Sequence, residues 1–439
     1  MSRNQSPRRS FATSWLPGAT NLLFLLLVTV SLRAQDAIRP SLAGEAAAEA
    51  RRQSLDSIPY NLLVGPVRFR FSATAGFEYN DNVNVAEVNK QEDFIFRPQV
   101  SLNALWPVTQ LNTLRLDLGV GYAFYFDHSQ YNTNGILLSP NSQISFDIFV
   151  SDFRINFHDR FSLEQDPVGE PGLSNVADYG RFQNTGGVSV LWDLNKAVVT
   201  FGYDHYNFIA TNSDFDYLNR NSEILLGSIS VAASSTTGVG VEGSLIWNRY
   251  DQAFLNDSTT YSAGGFLETQ VTGYLKLRLA GGYQMINSDG GSFIVSPFRG
   301  FGGGFPVFTD ASSLDDYYVN ILISHRINAA ITQRLSAGHE SQLGVNSNYV
   351  KLNYVRHTVT WNIINRTLIS TEFFYEDAED SGGFINEHFQ RYGGALSLGY
   401  QLTRHVTLGA RYQYTQKNSD VVLRDYKQNR VSLDGTYSF

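Results

Sequence analysis

Val67-Arg68-Phe69-Arg70-Phe71-Ser72-Ala73-Thr74-Ala75-Gly76-Phe77-Glu78-Tyr79 is the stretch on which the fold class turns. Phe69, Phe71, Ala73, Ala75, Phe77 and Tyr79 share one parity, and Arg68, Arg70, Ser72, Thr74 and Gly76 share the other. Successive side chains on a strand point to opposite faces, so this stretch has one apolar and one polar face. It is also long. A strand in a soluble protein averages about 5–6 residues, whereas a tilted membrane strand needs about 9–11. The same alternation returns at Leu114 to Phe126, Phe153 to His158, Leu275 to Gln284 and Arg391 to Leu402.

Working outward from these segments, the period-two pattern predicts about eighteen strands, from 67–79, 93–106 and 113–126, through 141–150 and 181–193, to 405–416 and 426–439. Short connections (151, 194–195, 272–273, 365–366) alternate with longer ones rich in Asn, Asp, Gly and Ser (127–140, 165–180, 287–316). That asymmetry is expected of an all-β, transmembrane, antiparallel up-and-down barrel over 67–439, with short periplasmic turns and long outer loops. A secreted β-helix or propeller is the competing fold, and no short internal repeat supports either.

Composition agrees. The 439 residues include 24 Tyr, 30 Phe and 37 Gly but no Cys, so the fold does not rely on disulfides. A net charge of −8 argues against nucleic acid as a partner, because phosphate binding needs a basic surface. A mean hydropathy of −0.19 fits a barrel, since only every second strand residue faces lipid. At the N-terminus, Arg3, Arg8 and Arg9 precede a short apolar run around Leu22 to Val28, and Ala34 is the expected last residue before cleavage. Residues 1–34 therefore read as a signal peptide, too short in its apolar run to span a bilayer as a helix. Residues 35–66 read as a periplasmic extension with room for one short helix between Ser41 and Leu55.

In a barrel the polar face is the lumen. The register places Arg68, Arg70, Arg97, Arg115, Arg154, Arg160, Arg278, Arg326, Arg334, Arg356, Arg411 and Arg430 there, with Asp117, Asp147, Glu242, Glu268, Glu340 and Glu372 among them. On a lipid face at midplane each Arg would cost roughly 2–4 kcal/mol, so these residues are expected to line a pore. Two roles stand open: the charges knit the inner wall together, or the excess Arg guides an anionic solute. The connection from Asn287 to Asp316 carries Phe293, Phe298, Phe301, Phe305 and Phe308 around Gly300 to Gly304. So apolar a loop would be sticky in water. It is expected to fold inward as a constriction, with packing on the outer leaflet or on a neighbouring subunit as the alternative.

No His-Glu-x-x-His, no G-x-S-x-G and no Cys is present, so neither enzyme activity nor a cofactor is expected. Asp127-His128-Ser129 holds acid, base and nucleophile types, but adjacent strand residues point alternately and do not converge. Asn80-Asp81-Asn82 and Asp377-Ala378-Glu379-Asp380 offer the oxygen ligands that Ca²⁺ takes, and read as solvated loop tips.

Gly76-Phe77-Glu78-Tyr79-Asn80-Asp81-Asn82-Val83, followed by Phe96-Arg97-Pro98-Gln99-Val100-Ser101-Leu102, resembles the β-barrel porins of bacterial exopolysaccharide loci. Those begin with an aromatic strand, a Tyr/Asn/Asp-rich loop with an Asn-Val pair, and a second strand led by Pro. The resemblance implies a passage for an extracellular polysaccharide, or an accessory of its export, with periplasmic export proteins and the polymer as partners. It brings no catalytic residues. A general or solute-specific diffusion porin and a structural or adhesive barrel are the alternatives. Outer-membrane lipid and the barrel-assembly machinery are the partners expected in every case.

The final strand alternates Val431, Leu433, Gly435, Tyr437 and Phe439 with polar residues, and Tyr437 and Phe439 resemble the assembly signal of outer-membrane barrels. Deleting Phe439 is expected to lower the amount of heat-modifiable barrel in outer-membrane fractions. Undiminished amounts on gels run with and without boiling would remove that role from Phe439.

Overall fold

The computed structural model describes residues 59–252, 254–289, 292–295, 305–308, 313–364, 366–381 and 386–439. Eighteen antiparallel strands close into a barrel. They are β1 (Val67–Asn80), β2 (Asp93–Pro107), β3 (Thr113–Gly121, continued by Phe124–Tyr125), β4 (Gln143–Val150, preceded by Leu137–Leu138), β5 (Phe153–Glu164), β6 (Arg181–Asp193), β7 (Ala197–Ala210), β8 (Arg220–Ala232) and β9 (Thr237–Tyr250). The second half is β10 (Ser258–Thr272), β11 (Leu275–Ser288), β12 (Leu314–Arg326), β13 (Ile331–Gln342), β14 (Val350–Ile364), β15 (Thr367–Asp380), β16 (His388–Gln401), β17 (Val406–Ser419) and β18 (Tyr426–Ser438). Each pairs with its chain neighbour, and β1 closes on β18 from Ser72↔Ser438 to Asn80↔Arg430.

Every strand expected from the alternation is present. The segment expected at 181–193 is Arg181–Asp193, but the one expected as unbroken from 113 to 126 is interrupted. Its partner across the gap is Pro98, which has no N–H to donate into the ladder, so Tyr122 only donates to the Pro98 carbonyl. Ala123 turns instead to Thr133, exchanging backbone and side-chain hydrogen bonds of 3.0 and 3.1 Å with it.

Of the segment expected as an N-terminal extension, only 59–66 falls among the described residues. There a short strand, Leu62–Val64, turns back through Gly65 (φ +58°) and pairs with the start of β1. The Asn61 carboxamide both donates to and accepts from the Phe71 backbone, standing in for a ladder pair where β18 ends. Residues 1–58 lie outside the described residues.

Register sets the faces. Phe77, Val241, Phe201, Phe373 and Leu433 stand exposed on the convex side. The inner parity is polar or small. At Gly264 a Cβ would collide with the Tyr318 hydroxyl and the Gly281 carbonyl, so only glycine fits beneath that side chain.

At the end carrying the long connections, loops from well-separated strands meet. Leu173 and Tyr179 from the β5–β6 loop pack with Phe215 and Leu218 (β7–β8), Leu255 (β9–β10) and Val345 (β13–β14) in one apolar cluster. Asn346 donates to the Gly172 carbonyl (3.0 Å), and Asn175 donates to Val85 and, through its side chain, to Leu423. The β5–β6 and β13–β14 loops arise from nearly opposite sides of the ring, so their contact crosses the mouth. Beside them Glu387, fully buried, binds Lys417 (2.9 Å), Arg424 (2.8 Å) and the Ser419 hydroxyl (2.6 Å). Removing one member of such a buried ion cluster strands the others, at about 3–5 kcal/mol. Glu387→Ala is therefore expected to lower the thermal unfolding midpoint of the detergent-solubilised barrel by several degrees. An unchanged midpoint would show that this cluster does not hold the loops.

Candidate functional site

Among the described residues, the β5–β6 connection, 165–180, turns into the barrel. Asp166 accepts a hydrogen bond from the Val168 backbone (3.0 Å) and caps the single 3₁₀ turn Pro167–Gly169, with Pro167 at its first position. Gln165 fixes the entry by bonding the Thr133 hydroxyl and the Tyr131 carbonyl. Val168 and Asp166 are thereby aimed at the wall built by β14 to β18 and β1.

That wall is a lattice of arginines bridged by carboxylates. Glu78 on β1 lies between Arg430 on β18 (2.9 Å) and Arg97 on β2 (3.5 Å). Arg430 extends its other terminal nitrogen to Asp166 of the loop (2.8 Å). Glu376 on β15, almost fully buried, is shared by Arg356 on β14 (3.0 Å) and Arg391 on β16 (2.7 Å). Arg391 then donates to the Val168 carbonyl (2.7 Å). Glu372 reaches across β16 to Arg411 on β17 (2.8 Å), over the small Ala395 that pairs with it. Each link is a charge-assisted hydrogen bond, and bidentate arginine geometry fixes direction as well as distance.

Between loop and wall lies a cavity of about 480 Å³, lined by Arg181, Arg356, Arg391, Arg411, Arg430, Glu164, Asp166, Glu372 and Glu376 among others. Burial alone would raise the Asp166 carboxyl, but Arg430, Arg97 and the Val168 N–H outweigh it and bring it down to about 2. The loop thus presents a permanent negative charge at ordinary pH. Burial pushes the neighbouring Glu170 the other way, upward, against Arg391 and Arg181.

The remaining sequence-derived pore residues fall on the same inner parity, in separate groups. Arg278 binds Glu268 (3.0 Å) and Glu242, which also accepts from Tyr318 (3.2 Å). Glu242 and Glu340 line a second cavity of about 550 Å³ rich in Ser and Thr. Arg154 binds Asp147 (2.9 Å), and Arg326 lies over the Tyr274 ring. Arg68, Arg70, Arg115 and Asp117 line a third cavity of about 240 Å³. Arg160 and Arg334 have no side-chain partner among the described residues, and both are exposed. The side chains of Phe293, Phe298, Phe301, Phe305 and Phe308, expected as a constriction, lie outside the described ones. For that segment only a backbone hairpin, Ser292–Val295 against Phe305–Phe308, is described. Tyr437 and Phe439 form an edge-to-face pair (5.1 Å), and the Phe439 N–H donates to Phe71.

Asp166, Arg181, Glu376 and Arg391 were not singled out from sequence. An Asp-Pro-x-Gly run signals a capped turn, but that this turn points inward depends on partners on the far wall. The oxygen-rich stretches are not simply solvated: Asp81 accepts from Asn429 and Asp377 from His388 and Gln390, while Asn80, Asn82 and Asp380 are buried. No group of three candidate metal ligands occurs among the described residues. His128 is bound to Asp93 (2.9 Å), whose carboxylate also accepts from three successive backbone amides.

No protein-family model matches the chain. No curated protein matches it either. Among solved structures it is similar to the outer membrane protein OpdK of Pseudomonas aeruginosa, at 10% identity over 84% of this chain and 99% of that one, with a TM-score of 0.46. It is similar to OccK2 (OpdF) of the same organism, solved in complex with glucuronate, at 11% identity over 86% and 100% with a TM-score of 0.48. A BenF-like porin from Pseudomonas fluorescens Pf-5 matches at 10% identity over 84% and 99%, with a TM-score of 0.48.

Proposed function

We propose that this chain is an outer-membrane channel that passes small anionic solutes through an arginine-lined eyelet, with the 165–180 loop setting its width. The carrying observation is the contact of Asp166 and Val168 with Arg430 and Arg391 inside a closed barrel. A closed ladder leaves no unpaired strand edge, the arrangement by which a sheet can cross lipid. An apolar convex face with a charged interior is the partition that lipid outside and water inside would enforce. The long-loop end faces outward in this reading, and lipid and the assembly machinery are its partners.

The solute class follows from charge. Five arginines face four carboxylates in the lining of the eyelet cavity. A small positive excess in a water-filled constriction attracts anions weakly, and salt screens it over roughly 10 Å at 0.1 M. The resemblance of the first hairpin to the exopolysaccharide-locus porins supports a second reading, passage or accessory work for a polymer. The loops bridging the mouth favour the small-solute reading, because a polymer passes only if they withdraw. Deleting the gene and measuring exported polysaccharide separates the two.

In planar bilayers the protein is expected to show weak anion preference, strongest at low salt. Arg356→Gln together with Arg411→Gln should move the reversal potential toward cations. Replacing 167–179 with a short Gly-Ser linker should raise single-channel conductance severalfold. Cation preference in the unmodified protein, or no conductance even with the shortened loop, would sink the channel reading and promote a structural barrel.

A further inference from the structure

The eyelet is held by paired charges, whereas the opposite, short-turn end of the lumen carries cations that are not paired. Arg70, Arg115, Lys276 and Arg334 point inward within the first turns of their strands. None has an ion-pair or hydrogen-bond partner among the described residues, and all four are exposed to the lumen. Their placement is systematic. Arg68 pairs with Leu105 and Leu105 with Arg115, so two arginines flank one leucine across three adjacent strands. Near the far side of the ring, Lys276 pairs with Ser324 and Ser324 with Arg334, repeating the arrangement. Strands are spaced about 4.8 Å apart, so each couple spans about 10 Å.

Like charges held this close repel, and proteins usually relieve them with a carboxylate. The nearest one in the first group, Asp117, is already engaged by Asn103 (2.7 Å) and Gln143 (3.1 Å). Arg68, Arg70 and Arg115 instead surround the open cavity of about 240 Å³. Guanidinium groups that outnumber the carboxylate around a concavity, here three to one, have the chemistry that recognises carboxylate and phosphate. Neighbouring cations about 10 Å apart within either cluster suit a ligand with several such groups better than a lone anion, because binding the first group raises the effective concentration of the second.

We infer that the short-turn end of the lumen is a binding vestibule for multivalent anions, solutes bearing two or more carboxylate or phosphate groups, distinct from the eyelet. That this end faces the periplasm rests on the channel reading; the cation clusters do not. In that setting the vestibule gathers polyanions arriving from the cell side and presents them to the eyelet.

Tripolyphosphate and citrate, added to one side of a bilayer at a time, test this. Orientation is set by a hexahistidine insertion after Gly135, an exposed long-loop position, blocked by Ni²⁺. Either probe should block conductance from the short-turn side at concentrations roughly tenfold lower than from the other. Which probe is stronger tells phosphate from carboxylate. Block should be lost in R70Q/R115Q/K276Q/R334Q, while the ion selectivity set at the eyelet persists. Equal block from both sides, no block of a conducting channel, or undiminished block in the variant would overturn the inference. Should the protein not conduct, the channel reading falls. Calorimetric titration of the detergent-solubilised barrel with tripolyphosphate then decides: saturable binding that the variant loses supports the vestibule, and no binding removes it. If the fourfold variant fails to assemble, R70Q/R115Q and K276Q/R334Q are read separately, each expected to weaken binding and block.

Discussion

Backbone amides and carbonyls on the outermost strands of a sheet must find partners, and the pairing of Ser72–Asn80 with Arg430–Ser438 is where this chain meets that demand. The ring fixes everything else about the molecule. Once the ladder closes, parity alone decides which residues face inward, and a slip of one residue at the seam would turn Arg430 outward and Val431 inward. The seam is finished by local devices. β18 ends with the Phe439 N–H on the Phe71 carbonyl, and Asn61 and Leu62–Val64 take up the ladder of β1 beyond it. The edge that β18 leaves uncovered is thus covered by the chain's own approach to the barrel.

Closure also explains why the interior charges form chains rather than isolated pairs. Inward residues on neighbouring strands stand side by side, so a carboxylate on one strand is within reach of arginines on both flanks. Glu78 and Glu376 each use that position to bind two. Desolvating so many charges is costly unless each lone pair and each N–H is used. The 165–180 loop supplies what the strands do not: the Val168 carbonyl for Arg391 and the Asp166 carboxylate for Arg430. The loop is therefore held by the same network that it completes, and loop and wall form one structural unit.

Strand number, order and facing were legible in the sequence because each depends on a local period of two. The break in β3 was not, although Pro98 is visible, because its effect falls on a neighbouring strand whose register had first to be known. The inner parity of Arg97, Arg356 and Arg411 could be read directly; their partners could not. Arg430 meets Asp166 across more than half of the chain, and no local pattern reports such a contact. Among the described residues, 165–180 enters the lumen, and its ordinary turn chemistry did not announce it. Apolar content in a loop signals that it packs somewhere; which loop turns inward is decided by anchors on the opposite wall.

The two ends of the lumen now differ for a physical reason. At the long-loop end, connections of many residues can fold back and bring carboxylates, carbonyls and apolar side chains to the wall. Arg424 and Arg430 acquire partners in this way. At the short-turn end, connections such as 151–152 and 273–274 are too brief to reach anything. Cations on that rim depend mainly on their strand neighbours, and Arg115 beside Leu105 and Arg334 beside Ser324 have no ion-pair partner among the described residues. Loop length, fixed by the up-and-down topology, thereby partitions one arginine-rich interior into a neutralised eyelet and a charged vestibule.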